Sequence, residues 1–172
     1  MRVKLQEVEA EDGPELIQSN LHSQDLHKPW SSPFIDKAGF QQWLEVAGGA
    51  NHAGLVARLI ETDEVVGVVN ISQIVMGAFQ SGYLGYYGSV QSAGRGLMTE
   101  AVHAAAHFAF ATLGLHRLEA NIQPGNVRSI DLVRRLGFRK EGFSPKYLKI
   151  DGQWRDHERW AILADEMRGE VR

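Results

Sequence analysis

Gln91-Ser92-Ala93-Gly94-Arg95-Gly96-Leu97-Met98-Thr99 is the stretch on which the reading of this chain turns. It separates a strand-like run, Tyr83 to Val90, from a run at helical spacing that begins at Leu97, with Met98, Ala101, Ala105, Phe108 and Thr112 on one side. A helix N-terminus carries unpaired N–H groups and a partial positive charge, so an anion can bind there if the preceding backbone lets it approach. Gly94 and Gly96 permit that approach, Arg95 adds a charge-assisted donor, and Thr99 brings a hydroxyl in the first turn. On spacing alone, an anion cradle and a plain glycine-rich turn are equally well served. Gly94-Arg95-Gly96-Leu97-Met98-Thr99 lacks the third glycine of a dinucleotide fingerprint and does not open a βαβ unit, and no Gly-Lys-Ser/Thr of a P-loop is present.

Working outward, the order of elements defines the fold class. A strand near Arg2 to Val8 precedes Glu11-Asp12-Gly13-Pro14, a helix start followed by Leu16, Ile17 and Leu21. Asp36 suits the N-cap of a second helix, whose Phe40, Trp43, Leu44 and Ala47 share one face before Gly48-Gly49 ends it. Strands are expected over Gly54 to Ile60, Val65 to Ile74 and Tyr83 to Val90, an antiparallel meander. After the cradle helix, which Gly114 stops, come a strand over Leu118 to Ile122, a helix from about Asn126 to Leu136, and two strands around the Asp151-Gly152 turn. The expectation is an α+β fold in one domain over residues 1–172, with about seven strands in a mixed, mostly antiparallel twisted sheet and about four flanking helices.

Composition excludes more than it names. The formal charge of −3, mixed in sign, gives no basic stripe for nucleic acid. The absence of cysteine removes disulfides, thiolate metal sites and a cysteine nucleophile. The start Met1-Arg2-Val3-Lys4-Leu5 lacks a signal peptide's apolar core, and no run approaches the roughly 18 apolar residues of a membrane span, so a cytoplasmic monomer or homodimer is expected. Glu100, His103 and His107 lie near one another on the cradle helix, but three ligands from one helix need outside help, and a polar helix face accounts for them without a metal. Asp156 and His157 are adjacent in a strand and point to opposite faces, so they do not form a dyad. Glu7, Glu9, Glu11 and Asp12 read as a solvated acidic face, with attraction of a basic protein tail as the alternative.

Gln91 to Gly96 resembles the Q/R-x-x-G-x-G/A signature of the GNAT acetyltransferase superfamily. Tyr83-Leu84-Gly85-Tyr86, Gly96 to Ala101, Leu115-His116-Arg117, Asn126 with Ser129, Leu136-Gly137-Phe138 and Glu141-Gly142 look like the Rim-type ribosomal-protein-alanine N-acetyltransferases. Lys28-Pro29-Trp30 and the run Tyr147 to His157 are most like the RimJ branch. The resemblance implies the GNAT fold, in which the cradle strand and the strand after its helix splay apart to admit the pantetheine arm. It also implies acetyl-CoA as co-substrate, with no metal, and transfer of the acetyl group to a primary amine, the N-terminal α-amine of a protein such as a ribosomal protein, by direct attack in a ternary complex. A small-molecule amine acetyltransferase and a non-catalytic acetyl-CoA sensor are the competing readings.

The implied cofactor site comprises Ser89, Val90, Gln91, Gly94, Arg95, Gly96, Leu97, Met98, Thr99, Asn126 and Ser129. A strand edge at Ser89-Val90 is expected to aim a backbone N–H at the thioester oxygen. By resemblance Asn126 contacts the pantetheine arm and Ser129 lies near the sulfur; by composition alone the ordinary role of Asn126 is a helix cap, and the two roles are compatible. Some relatives place an acidic residue and a tyrosine where this chain has Asn121 and Val133, so those roles do not carry over. Tyr147 is a candidate acid or substrate contact, with half-buried packing as its ordinary role. A protein α-amine has a pKa of roughly 7.7 to 8.0, so part of it is neutral at physiological pH and a strong base is not compulsory. Trp30, Phe34 and Trp43 belong to the region that walls the acceptor site in similar enzymes, though core packing is their default.

Overall fold

The computed structural model describes residues 1–167. Seven strands form one sheet in the order β1-β2-β3-β4-β5-β7-β6: β1 Val3–Glu7, β2 Ala53–Leu59, β3 Val65–Val75, β4 Ser81–Gly88, β5 Arg117–Ile122, β6 Arg139–Ile150 and β7 Gln153–Leu163. All neighbours are antiparallel except β4 and β5. This is the mixed, mostly antiparallel α+β architecture that the order of elements predicts. One feature of the order is not local: β7 inserts between β5 and β6, so the last strand in chain order among the described residues lies inside the sheet.

Side-chain alternation divides the core into two layers. Val56, Val65 and Val68 face α1 (Gly13–His22) and α3 (Lys37–Ala47), where Leu16 and Phe40 complete a small cluster. Leu55, Ala57, Val69 and Ile71 face the other way, onto α4 (Leu97–Ala111) and α5 (Val127–Arg135). The alanines of α4, with Ala101, Ala105 and Ala109 fully buried, let that helix lie close against the sheet. Asp36 caps α3 by accepting the Gly39 N–H at 2.8 Å, as its position before the apolar face predicts.

Three expectations change. A fifth helix, α2 (Gln24–His27), adds a single turn directly after α1. The third meander strand ends at Gly88 rather than Val90, because Val90–Ser92 wind into a 3-10 turn. Serine hydroxyls cause this: Ser89 Oγ accepts the Ser92 N–H, while Ser92 Oγ donates to Val66 O at 2.7 Å, so the chain curls back onto β3. Of the acidic N-terminal set, Asp12 is buried against the Arg58 guanidinium at 2.8 Å, not part of a solvated face. Phe34 and Trp43 stack at 5.4 Å within the α1–α3 cluster, which is core packing.

Candidate active site

The site begins where β4 and β5 part. They pair only at Ser81–Arg117, Gly82–Leu118 and Tyr83–Glu119. Beyond that point β4 stays with β3 as far as Gly88, and β5 stays with β7 as far as Ile122. Each strand thus follows its outer neighbour, and a wedge opens between them. Ser89 N–H bonds Val66 O on β3, so the alternation of an antiparallel ladder turns the backbone groups of Tyr86 and Gly88 toward the wedge.

At the wide end lies the N-terminus of α4. Its N-cap, Gly96, has φ +75° and no side chain to satisfy the first-turn N–H groups. Gly94 has φ +74°, and a Cβ built there meets nothing within 4 Å, so its glycine keeps a path open to the helix end. Arg2, unassigned in the sequence, joins this corner: its Nη2 donates to Arg95 O at 3.1 Å and its Nε to Glu100 at 2.7 Å. Glu100 is therefore committed to Arg2, with its carboxyl held below the ordinary value by those hydrogen bonds against the opposing effect of burial.

The wedge opens into a cavity of about 510 Å³. Among the residues expected at the cofactor, Ser89, Gly94, Met98, Asn126 and Ser129 line it together. Gln91 and Arg95 line a neighbouring cavity of about 620 Å³ on the α1 side of the cradle. Leu97 is fully buried and Thr99 nearly so, both in the first turn of α4.

The expected oxyanion donors require a larger correction. Ser89 N–H is spent on Val66 O at 2.8 Å, and Val90 N–H donates to Ser23 Oγ at 2.9 Å. The curl after Gly88 points both away from the wedge, so the donors that face it belong to Tyr86 and Gly88. Ser89's hydroxyl is likewise held by Val65 O and Ser92. Its role is to fix the turn.

Asn126 caps α5 by accepting the Ser129 N–H at 3.3 Å, and it lines the cavity as well. Ser129 Oγ lies 2.6 Å from Tyr86 Oη, a pairing that no sequence pattern announced because the two residues are 43 positions apart on different elements. Burial pushes the Tyr86 phenol up to about 12, partly offset by the Ser129 hydrogen bond, so it stays protonated at neutral pH. The pair holds two hydroxyl protons. One joins the oxygens, and one remains to be donated.

Tyr147 does not join Ser129. Its Oη lies 3.3 Å from Tyr83 Oη and its ring meets His157 edge-on, 6.2 Å between centroids. Tyr83 and Tyr86 stand three apart on β4 and leave it on opposite faces, which separates the two candidates named from the sequence. The hydrogen bond to Tyr147, with burial, pushes Tyr83 up to about 12. Asp156 Oδ1 accepts the Lys146 N–H at 2.8 Å and the His157 Nδ1–H donates to Arg155 O at 2.9 Å, so those neighbours bond separately, as adjacent strand residues must.

Trp30 closes one side of the cavity. Its ring lies 3.1 Å from where a Cβ on Gly125 would stand, and its carbonyl accepts from Gln123 Nε2 at 3.3 Å. The segment after α2 is thus tied to the turn before α5 across the wedge.

The site thus combines an open helix N-terminus, two diverging strands and a hydroxyl pair. The chain belongs to the acetyltransferase (GNAT) domain family, whose model matches residues 2–139. It is 48% identical over 103 residues to the [Ribosomal protein uS5]-alanine N-acetyltransferase of Escherichia coli (strain K12), a match covering 60% of this chain and 53% of that protein. In structure it superposes on Mycobacterium smegmatis RimJ in complex with CoA-disulfide with a TM-score of 0.87 at 29% identity, covering 95% of this chain and 83% of that one. On the ribosomal-protein-S5-alanine acetyltransferase of Vibrio fischeri the TM-score is 0.84 at 26% identity, covering 98% and 96%. The chain spans about half the length of the Escherichia coli protein and of similar curated relatives that it matches. No helix among the described residues is long and apolar enough to cross a membrane.

Proposed function

We propose that this chain transfers the acetyl group of acetyl-CoA to the N-terminal α-amine of a protein, with a ribosomal protein as the substrate its relatives favour. The observation that carries the chemistry is the Ser129–Tyr86 hydroxyl pair, 2.6 Å apart, at the wall of the wedge. Acetyl-CoA supplies the acetyl group already activated as a thioester. The fit of its pyrophosphate to this chain rests on the bare N-terminus of α4 and the open path at Gly94, with Arg95 adding positive charge.

The remaining steps belong to the protein. The Gly88 or Tyr86 N–H at the wedge edge polarises the thioester carbonyl and stabilises the negative charge that develops on its oxygen. As the amine nitrogen bonds to that carbon and the C–S bond breaks, the spare hydroxyl proton of the Ser129–Tyr86 pair hydrogen-bonds the departing thiolate. Burial holds the Tyr86 pKa high, so the phenol keeps its proton, and with that proton donated to Ser129 Oγ the serine proton is directed at sulfur. Asn126 contributes by fixing the first turn of α5, on which Ser129 sits.

The test is incubation with acetyl-CoA and peptides that differ only in their first residue, with free lysine and spermidine as controls. Faster turnover of alanine-starting peptides supports the reading. Faster turnover of spermidine or lysine replaces it with a small-molecule acetyltransferase, and tight acetyl-CoA binding with no turnover of any acceptor leaves a sensor.

A further inference from the structure

A direct attack leaves one demand unmet: the amine nitrogen must lose a proton as it becomes an amide. The sequence offers no carboxylate at the positions where some relatives have one, and the cavity contains a group that can answer the demand. His27, at the end of α2, is 5% exposed and lines the same cavity as Tyr86, Ser129 and the Gly88 edge. Its Nε2 lies 2.7 Å from Gly88 O. A carbonyl oxygen only accepts, so Nε2 carries the proton and the neutral ring has its lone pair on Nδ1. Among the described residues that Gly88 bond is the ring's sole hydrogen bond, which leaves Nδ1 without a competing donor.

The ring is held in place. Tyr87 packs edge-on at 5.1 Å, and the carbonyl of His27 accepts from both Trp30 N and Ser31 N, which fixes the segment around it. Burial lowers the His27 pKa below 6.5, the Gly88 bond opposing in part, so the ring is neutral and able to accept a proton at physiological pH. The ionisable groups around it are Asp25 and Lys28 on its own segment, Tyr86 and Tyr87 on β4, and Arg128 on α5, all lining the cavity. Both tyrosines are pushed upward by burial and stay neutral in the working range.

We infer that His27 is the general base of the reaction, taking the amine proton on Nδ1 while its Nε2–H anchors the edge of β4. The inference rests on the acetyl-transfer reading above. The balance is complete: the nitrogen–carbon bond forms, the C–S bond breaks, the amine proton passes to Nδ1 and the thiolate leaves hydrogen-bonded to the Ser129–Tyr86 pair. The imidazolium then returns its proton through water to the thiolate. A base this weak suffices because nitrogen grows far more acidic once it starts to bond the carbonyl carbon. Proton transfer by a positioned base contributes roughly 10²- to 10⁴-fold to rate.

The experiment compares the wild type, His27→Gln and His27→Ala, measuring kcat from pH 5 to 9 at saturating acetyl-CoA. Two good peptide acceptors are used whose α-amines differ in pKa. Gln presents an amide N–H close to the place of Nε2 and so keeps the Gly88 bond without the basic lone pair. The expected wild-type profile falls at low pH with a midpoint below 6.5 that is the same for both peptides. His27→Gln is expected to lose that limb and roughly 100-fold in kcat with KM for acetyl-CoA little changed. Free imidazole is expected to restore part of the rate to His27→Ala. A limb that moves with the amine pKa, or a His27→Gln enzyme with kcat within threefold of wild type, overturns the assignment. Because the wild-type profile decides by itself, a variant that fails to fold does not protect the idea. A wild type that turns over no peptide instead refutes the reading on which the inference rests.

Discussion

Ser129→Ala tests the leaving-group contact most directly. Alanine keeps the backbone N–H that Asn126 caps and is the better helix former, so α5 is expected to stay folded. What disappears is the Oγ between Tyr86 Oη and the thiolate, leaving the phenol with a 3.4 Å approach to the Ser129 carbonyl. A hydrogen bond to a charged group contributes about 1.5–3 kcal/mol, and at about 1.4 kcal/mol per decade the rate falls roughly 10- to 150-fold. Tyr86→Phe removes only the neighbour that orients the serine proton, a neutral bond of about 0.5–1.5 kcal/mol, or roughly 2- to 12-fold. The two losses should not multiply: with the serine gone the tyrosine has no proton to direct, so the double variant should match Ser129→Ala. Release of free CoA thiol, followed in single turnover with an alanine-starting peptide, separates the chemical step from product release. Ser129→Ala within twofold of wild type, or a double variant whose loss is the product of the single ones, would falsify the paired-hydroxyl account.

Four further outcomes follow from particular contacts. Gly94→Asp should weaken acetyl-CoA binding at least tenfold by calorimetry, while Gly94→Ala, which meets open space but takes on a positive φ, separates backbone strain of about 1–2 kcal/mol from charge repulsion. Arg58→Met leaves Asp12 buried beside no cation, and thermal unfolding should show a loss of about 3–5 kcal/mol, whereas Lys4→Met, at an exposed pair with Asp63, should leave the unfolding temperature nearly unchanged. Gly67→Ala places a Cβ 2.4 Å from Tyr87 O and 2.9 Å from Gly88 Cα, so β3 must push against the wedge edge; a loss of about 1–3 kcal/mol and a lower kcat are expected together. The Arg117 hydrogen bond holds the Glu141 carboxyl below its ordinary value, so its contribution is complete above the unfolded carboxylate pKa and is lost as pH falls through the lower folded one. Glu141→Gln should flatten that acidic part of the stability curve, measured by urea unfolding between pH 5 and 3.

The elements were legible where short-range chemistry decides them. Asp36 capping a helix, Asp151-Gly152 turning a hairpin and Gly96 opening α4 each act within a few residues, and all stand where the sequence puts them. The strand end at Gly88 was not legible, because Val90 suits a strand and only the bonds of Ser89 and Ser92 to β3, more than 20 residues earlier, curl the chain away. That curl takes the N–H groups of Ser89 and Val90 out of the wedge. The same limit hid Arg2, which reaches the cradle from the far edge of the sheet.

By itself the sequence determined a glycine-rich turn between a strand and a helix, a mostly antiparallel sheet around it, and the position of Ser129 in the first turn of α5. Tertiary structure decided the rest. It parts β4 from β5 beyond Tyr83, since each strand's hydrogen bonds continue with its outer neighbour, and it joins Tyr86 to Ser129 while leaving Tyr147 with Tyr83. It also seats His27 on Gly88 from 61 residues away. A sequence fixes which groups an element carries and on which face; which groups meet depends on the pairing of distant strands, and that pairing is settled by burial of the whole sheet between its two helical layers.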